Sequence, residues 1–254
     1  MAASGLDFFY IIKAEASKNL HTNPSVETNT TKYAAANGSA LDRSTTQQRR
    51  GTYSLAVTPT SNTDGGVDTG TFVISTNGGT ASVDFWGAVG IPYYIQFLNG
   101  SAVKVGSPVT FTGDGQWHRY EVSITGQTTI YVTVRKNNSS STAAFYIDGF
   151  QIEDKIGYST TYMDGDQDGC FWDALLHGST SQRYSNYRGG GRKINLSTYD
   201  AYVLDMSGVG TPPIETAIIP YGNIPGGNYV GSTVGERTMT IGVTVSAGNS
   251  IDPL

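Results

Sequence analysis

The sequence predicts an all-β protein, and three observations carry that prediction. Apolar residues alternate with polar ones or form short runs, and no stretch shows the 3.6-residue period of an amphipathic helix. Clusters of Gly, Asn, Asp and Ser break these runs at close intervals, as turns between strands do. Composition agrees, with Gly 32, Tyr 16 and only 15% charged residues. A chain of 254 residues holds one large or two ordinary domains and can bury a sizeable core. Short strands in such a series build a sandwich or a barrel.

The elements follow in order. Asp7–Ala14 reads as a first strand; it lacks a basic region before its apolar centre and so does not read as a signal peptide. Asn23-Pro24 marks a turn into a short strand. Ser39–Arg43 and Thr52–Pro59 are strands joined by the polar connector Gln47–Gly51, and Ser61–Gly70 is a loop. Thr71–Ser75, Ala81–Gly87 and Tyr93–Leu98 come next, and Asn99-Gly100 is a hairpin turn into Ala102–Val105. Trp117–Ile124, Thr128–Arg135 and Ala143–Glu153 close the main series. After Asn195 the pattern resumes with Tyr199–Met206, Ile214–Pro220 and Thr238–Val245, few strands for an independent core.

Bulk properties exclude several classes. A net charge of −5 and a pI near 5.1 leave no basic field for nucleic acid or an anionic membrane. No apolar run approaches the roughly 18 residues of a membrane helix. The single cysteine rules out an internal disulfide and a Cys-rich zinc site. Charge is locally uneven: Asp164, Asp166, Asp168 and Asp173 precede Arg183, Arg188, Arg192 and Lys193. Solvated loops account for such blocks, and so does pairing between packed parts.

Four short motifs in sequence carry a resemblance. Asn23-Pro24-Ser25-Val26-Glu27, Gly51-Thr52-Tyr53-Ser54-Leu55-Ala56-Val57, Trp117-His118-Arg119-Tyr120 and Phe145-Tyr146-Ile147-Asp148-Gly149 resemble the jelly-roll carbohydrate-binding modules related to families 4, 9 and 22. The resemblance covers roughly Lys18–Glu153. It implies a structural calcium held by Glu27 and Asp148 with backbone carbonyls; the alternative is a carboxylate pair satisfied by backbone N–H groups and arginines. No cofactor is otherwise required. Sugar binding needs aromatics on one concave face, and the candidates are Tyr33, Trp86, Tyr93 and Tyr94. Strand alternation sends Phe85 and Trp86, and likewise Tyr93 and Tyr94, to opposite faces, so at most one of each pair belongs to the core.

A second resemblance runs through Tyr158–Asp166, Gly169-Cys170-Phe171-Trp172 and His177-Gly178-Ser179-Thr180-Ser181 to Arg183. It is similar to a junction in distal and minor tail proteins of siphophages and prophages, where a jelly-roll module passes into a tail domain. Gly208–Glu215, Ile224–Gly227 and Glu236–Ile241 resemble the opening of distal-tail-type domains, which continue further than this tail, so 195–254 is read as a partial domain. The implied organisation is an arm at 1–17, a jelly-roll module at 18–155, a joint at 156–194 and a partial β domain at 195–254. Joint residues are Tyr162, Asp164, Asp166, Trp172, His177 and Arg183.

Chemistry finds little support in that joint. Asp164, Asp166, Asp168 and Gly169 fit the first positions of an EF-hand loop, but the twelfth is Leu175 and no helices flank it. Carboxylates clustered on one Gly-rich turn cannot flank a glycosidic bond. Cys170 and His177 lack an orienting third group, and Cys170 beside Phe171 and Trp172 reads as a small apolar residue. The resemblances therefore imply a non-enzymatic tail or baseplate protein of the virion, made in the host cytoplasm. It would assemble with other tail proteins in several copies and touch host-surface glycan weakly. A carbohydrate-binding module of a secreted protein and a capsid decoration protein are the alternatives.

Overall fold

The computed structural model describes the backbone of residues 10–75, 78–184, 190–195, 201–207, 214–220, 227–234 and 240–245, and side chains within 15–190. Among these residues there is no helix, and the antiparallel strands make the protein all-β.

In chain order the strands are β1 (Tyr10–Ala14), β2 (Ser17–Asn19), β3 (Tyr33–Ala36), β4 (Ala40–Ser44), β5 (Ser54–Thr58), β6 (Gly66–Thr69) and β7 (Phe72–Val73). They continue with β8 (Gly78–Trp86), β9 (Pro92–Asn99), β10 (Lys104–Thr112), β11 (Trp117–Thr125), β12 (Thr129–Lys136) and β13 (Phe145–Glu153). Then come β14 (Cys170–Trp172), β15 (Ser181–Arg183), β16 (Gly191–Asn195), β17 (Ala201–Ser207), β18 (Ile214–Pro220), β19 (Gly227–Val234) and β20 (Thr240–Val245).

The chain divides into two compact units, 12–193 and a second made of 1–11 with 194–254. In the larger unit two sheets face each other. One is six-stranded, in the order β10-β9-β12-β6-β3 with β7 on β12; the other is five-stranded, β11-β8-β13-β5-β4. Strand alternation supplies the core between them. Val83 and Phe85 of β8, Ile95 and Phe97 of β9, Val132 and Val134 of β12, and Phe145 and Ile147 of β13 all point inward and are buried. Each such side chain contributes about 1.5–3 kcal/mol by leaving water.

A small third sheet, β14-β15-β2, lies in the same unit. The segment 156–194, expected as a joint, falls up to Lys193 in the compact unit that holds the sandwich. In the smaller unit β17 pairs with β20 and β18 with β19. The β19 strand has no counterpart in the sequence reading, because Gly227-Asn228 and Gly231 dilute its apolar period. Arg188, Glu236 and Arg237 lie outside the described residues.

Candidate functional site

The two sheets present opposite outer faces, and these differ. On the five-stranded sheet the outward residues are polar yet buried: Thr80, Ser82 and Asp84 of β8, with Asp148, Gln151 and Glu153 of β13. Gln151 and Glu153 are bonded to the 159–164 segment, whereas Asp84 pairs with Arg50 and Arg119, Ser82 with Arg119, Asp148 with the backbone of Arg49 and Arg50, and Thr80 with Ser123 and the Lys155 carbonyl. Thr160 donates its N–H to Glu153 Oε2 (2.7 Å) and its hydroxyl to Oε1 (2.8 Å). Met163 N–H reaches Gln151 Oε1 at 2.9 Å, and Ser159 donates N–H and hydroxyl to Glu121. From β2, Asn19 Nδ2 donates to the carbonyls of Phe150 and Met163, while its Oδ1 accepts the Ile152 N–H. A sheet face with this many satisfied side chains is closed to a ligand.

The residues named as a joint come together in this layer. Tyr162 is buried, donates to Asp164 Oδ2 at 2.7 Å, and lies beneath the guanidinium groups of Arg50 (4.8 Å) and Arg119 (5.3 Å). Asp164 Oδ1 accepts the Asp166 N–H. Asp166 accepts from the Trp172 indole at 3.1 Å and approaches His177 Nε2 at 3.2 Å. Arg183 donates to the carbonyls of Thr161 and Tyr162, both at 2.8 Å. Burial pushes the Tyr162 phenol well above its usual range, and the Asp164 charge adds to this.

Glu27 and Asp148 grip one loop rather than a cation. Glu27 Oε1 accepts the N–H groups of Thr52 (2.9 Å) and Tyr53 (3.1 Å). Asp148 Oδ2 accepts those of Arg49 (2.9 Å) and Arg50 (2.6 Å), and Oδ1 that of Gly149. Arg43 meanwhile donates to the carbonyls of Val26 and Glu27, the kind of oxygen a calcium would need. Gly51, at φ +69°, makes this loop: a Cβ there would stand 2.4 Å from Glu27 Oε1. In this geometry both carboxylates are bonded to backbone N–H groups, the second of the two arrangements the sequence allows. Among the described residues no group of three or more His, Cys, Asp or Glu could hold a metal.

The four aromatics expected at a sugar site scatter. Tyr93 is fully buried in the core between Phe85 (4.7 Å) and Phe145 (5.3 Å), because β9 alternation turns it inward. Tyr33 packs beside His21 (4.9 Å) and Phe150 and donates to the Asn23 carbonyl, so it closes a core edge. Trp86 is on the five-stranded sheet, its indole bonded to the Gly115 carbonyl. Only Tyr94 lies on the outer face of the six-stranded sheet, and one position cannot form a groove by itself.

Around Tyr94 there is a polar cluster that the sequence reading missed. Arg135 of β12 is in register with Tyr94 of β9 and Gly66 of β6. Its Nη2 lies 2.8 and 2.7 Å from the two oxygens of Asp68, and its Nη1 3.2 Å from Asp64 Oδ2. Tyr94 donates to Asp64 Oδ1 at 2.5 Å, and Lys104 Nζ lies 4.8 Å above the Tyr94 ring and 3.4 Å from Asp64. Burial and the bond to Asp64 push the Tyr94 phenol far up. Burial pulls the Arg135 guanidinium down, but Asp68 and Asp64 outweigh it and hold it above its ordinary value. Tyr131 is half-buried on the same face of β12. The signal was present: in Thr129–Arg135 the positions Tyr131, Thr133 and Arg135 alternate with the core residues Ile130, Val132 and Val134. Asp64 and Lys104 keep 36% and 46% of their side chains in solvent, so this face has accessible donors and acceptors.

The chain matches no family model and no curated protein. Among solved structures it is similar to the CBM22-1 xylan-binding domain of Paenibacillus barcinonensis Xyn10C, at 19% identity over 55% of this chain and 96% of that one, TM-score 0.44. It is also similar to TmCBM61 in complex with β-1,4-galactotriose, at 16% identity over 53% and 97%, TM-score 0.38. A more distant likeness is to the enzymatically active domain of bacteriophage CBA120 tailspike protein 4, at 10% identity over 53% and 21%, TM-score 0.40.

Proposed function

We propose that the protein is a non-enzymatic component of a phage tail or baseplate whose sandwich binds host-surface carbohydrate through the outer face of the six-stranded sheet. The observation that carries the binding half is the contrast between faces: one sheet is covered by 159–164 together with Arg50 and Arg119, and the other presents Asp64, Lys104, Arg135 and Tyr131 around Tyr94. Planar ion pairs and carboxylates of this kind hydrogen-bond ring hydroxyls, and the half-buried Tyr131 offers a flat surface for a pyranose.

The tail half rests on the similarity of Tyr158–Arg183 and of the segment after Asn195 to tail proteins. In this reading the 195–254 segment supplies assembly contacts, the copies form a ring or similar multimer in the virion, and weak single-site affinity is raised by multivalency. Asp164, Asp166 and Asp173 are engaged with Tyr162, Trp172, His177, Thr180 and Lys18, which favours a structural part for them over a catalytic one.

A glycan array probed with the intact protein, followed by native mass spectrometry for copy number, tests both halves. The reading expects binding of a neutral oligosaccharide at weak, millimolar-type affinity and a discrete multimer. A strict monomer that binds no glycan removes it.

A further inference from the structure

The closed area of the five-stranded sheet ends at one row across the strands, Arg119, Asp84 and Asp148. The next outward row is of a different kind. Trp117 of β11 is in register with Trp86 of β8, and Trp86 with Tyr146 of β13. The row continues from Tyr146 to Ala56 of β5 and from Ala56 to Asp42 of β4. Alternation puts it on the outer side, since Phe85, Ile147 and Val57 beside it in sequence are core. Three aromatics, one methyl and one carboxylate thus stand side by side over about 19 Å, at the spacing of paired strands.

The row is accessible and already formed. Trp117, Trp86 and Tyr146 are half-buried, and Asp42 is exposed. The Trp117 indole N–H and the Tyr146 hydroxyl bond to no described residue, and neither is enclosed. Asp42 Oδ1 accepts the Arg43 N–H, and its Oδ2 has no partner among the described residues. Trp86 is fixed by its bond to the Gly115 carbonyl at 2.8 Å and packs edge-on against Tyr146, ring centroids 5.5 Å apart. A ligand therefore has little side-chain ordering to impose.

Size and polarity select the ligand. Three half-buried aromatics offer on the order of 200 Å², against the roughly 800 Å² a side of a stable protein interface. The strip is too small for a protein and wide enough for a flat ring. It holds no cationic side chain, so an acidic sugar finds no counterion in it. A neutral pyranose with equatorial hydroxyls has apolar faces for the aromatics. Its polar rim meets Asp42, the Trp117 N–H and the Tyr146 hydroxyl.

We propose that the Trp117–Trp86–Tyr146 row is a second glycan site, on the opposite sheet from Tyr94. It takes a neutral oligosaccharide of equatorial pyranoses that lies across the strands and donates hydroxyls to Asp42. The site is independent of the six-stranded face.

The test is a titration of the intact protein with cellotetraose, read by NMR at the indole N–H signals of its three tryptophans. Trp172, in the small third sheet, serves as the internal reference. The expected result is saturable shifts of the Trp117 and Trp86 signals with Trp172 unmoved. Tyr146→Ala should weaken the binding about tenfold, and Asp42→Ala severalfold. Lys104→Ala, on the other sheet, should leave the Trp117 response unchanged, which separates failure of this site from failure of the six-stranded face. If Tyr146→Ala does not fold, Asp42→Ala decides, because its side chain is exposed. Trp117 and Trp86 signals that stay still, move together with Trp172, keep their full response in Asp42→Ala or lose it in Lys104→Ala overturn the proposal. Shifts that follow dilution of the protein instead of added sugar overturn it too, and assign the row to a contact between copies.

Discussion

Asp84 and Asp148 face each other directly across the β8–β13 ladder, two carboxylates in opposed positions on a buried face. Like charges so placed repel, and each therefore has its own compensation. Asp84 takes two cations, Arg50 Nε at 2.8 Å and Arg119 Nη1 at 3.2 Å. Asp148 takes the backbone N–H groups of Arg49, Arg50 and Gly149. Gly149, at φ +54°, lies in the β13 bulge beside Asp84, and a Cβ there would come 2.6 Å from Asp84 Oδ2. The covering layer depends on this pair, since both arginines also lie over the Tyr162 ring.

Removing the acid should leave those cations exposed to each other in a dry layer. Asp84→Ala is expected to cost about 3–5 kcal/mol, the penalty of an uncompensated buried charge. Urea denaturation followed by tryptophan fluorescence measures it, and a loss below about 1 kcal/mol would show that the arginines relax into water.

Two buried groups give the stability opposite pH slopes. Burial, foremost, and the Asp84 charge push Asp148 up to about 7. The folded state then holds a proton that the unfolded chain has lost, so this contribution falls as pH rises from about 4 to 7. Burial lowers His21 to about 3, with the Lys32 charge adding to it. Here the unfolded chain binds the extra proton, and stability rises with pH between about 3 and 6.5. Each effect amounts to about 4–5 kcal/mol over its full window, so they largely offset between pH 4 and 6.5. Asp148→Asn should uncover the His21 slope, seen as a midpoint that climbs with pH where the parent protein's is nearly flat. Parallel profiles for the two proteins would contradict the Asp148 assignment.

The loop held by Glu27 and Asp148 yields a metal-free expectation. Chelator or millimolar calcium should leave Tm unchanged, since backbone N–H groups already bond to both carboxylates. Gly51→Ala should destabilise by about 1–3 kcal/mol through its positive φ and its approach to Glu27. A calcium-dependent rise of several degrees would mean that the loop opens to admit the ion.

The sequence foreshadowed the strands well and the site poorly, for one physical reason. Period-two alternation marks which residues leave the core, as with Tyr94 opposite Tyr93, but it does not say what covers the face they reach. Gln151 and Glu153 are buried because Thr160 and Met163 of the next segment fold back over them, and Asp84 because Arg50, 34 positions away, and Arg119 pair with it. Arg135 and Asp68 likewise meet across strands 67 positions apart. Such pairs follow from sheet order, which no single short motif encodes.

The most direct test of the glycan face is isothermal titration of the array-selected neutral oligosaccharide into the intact protein and its Lys104→Ala and Tyr131→Ala variants. Both side chains lie on the six-stranded face at exposed or half-buried positions, so folding should survive. The account predicts measurable binding that weakens about fivefold to fiftyfold in each variant, the range of about 1–2 kcal/mol per lost contact, with unchanged Tm. Equal affinity in all three proteins would place the sugar elsewhere and contradict the account.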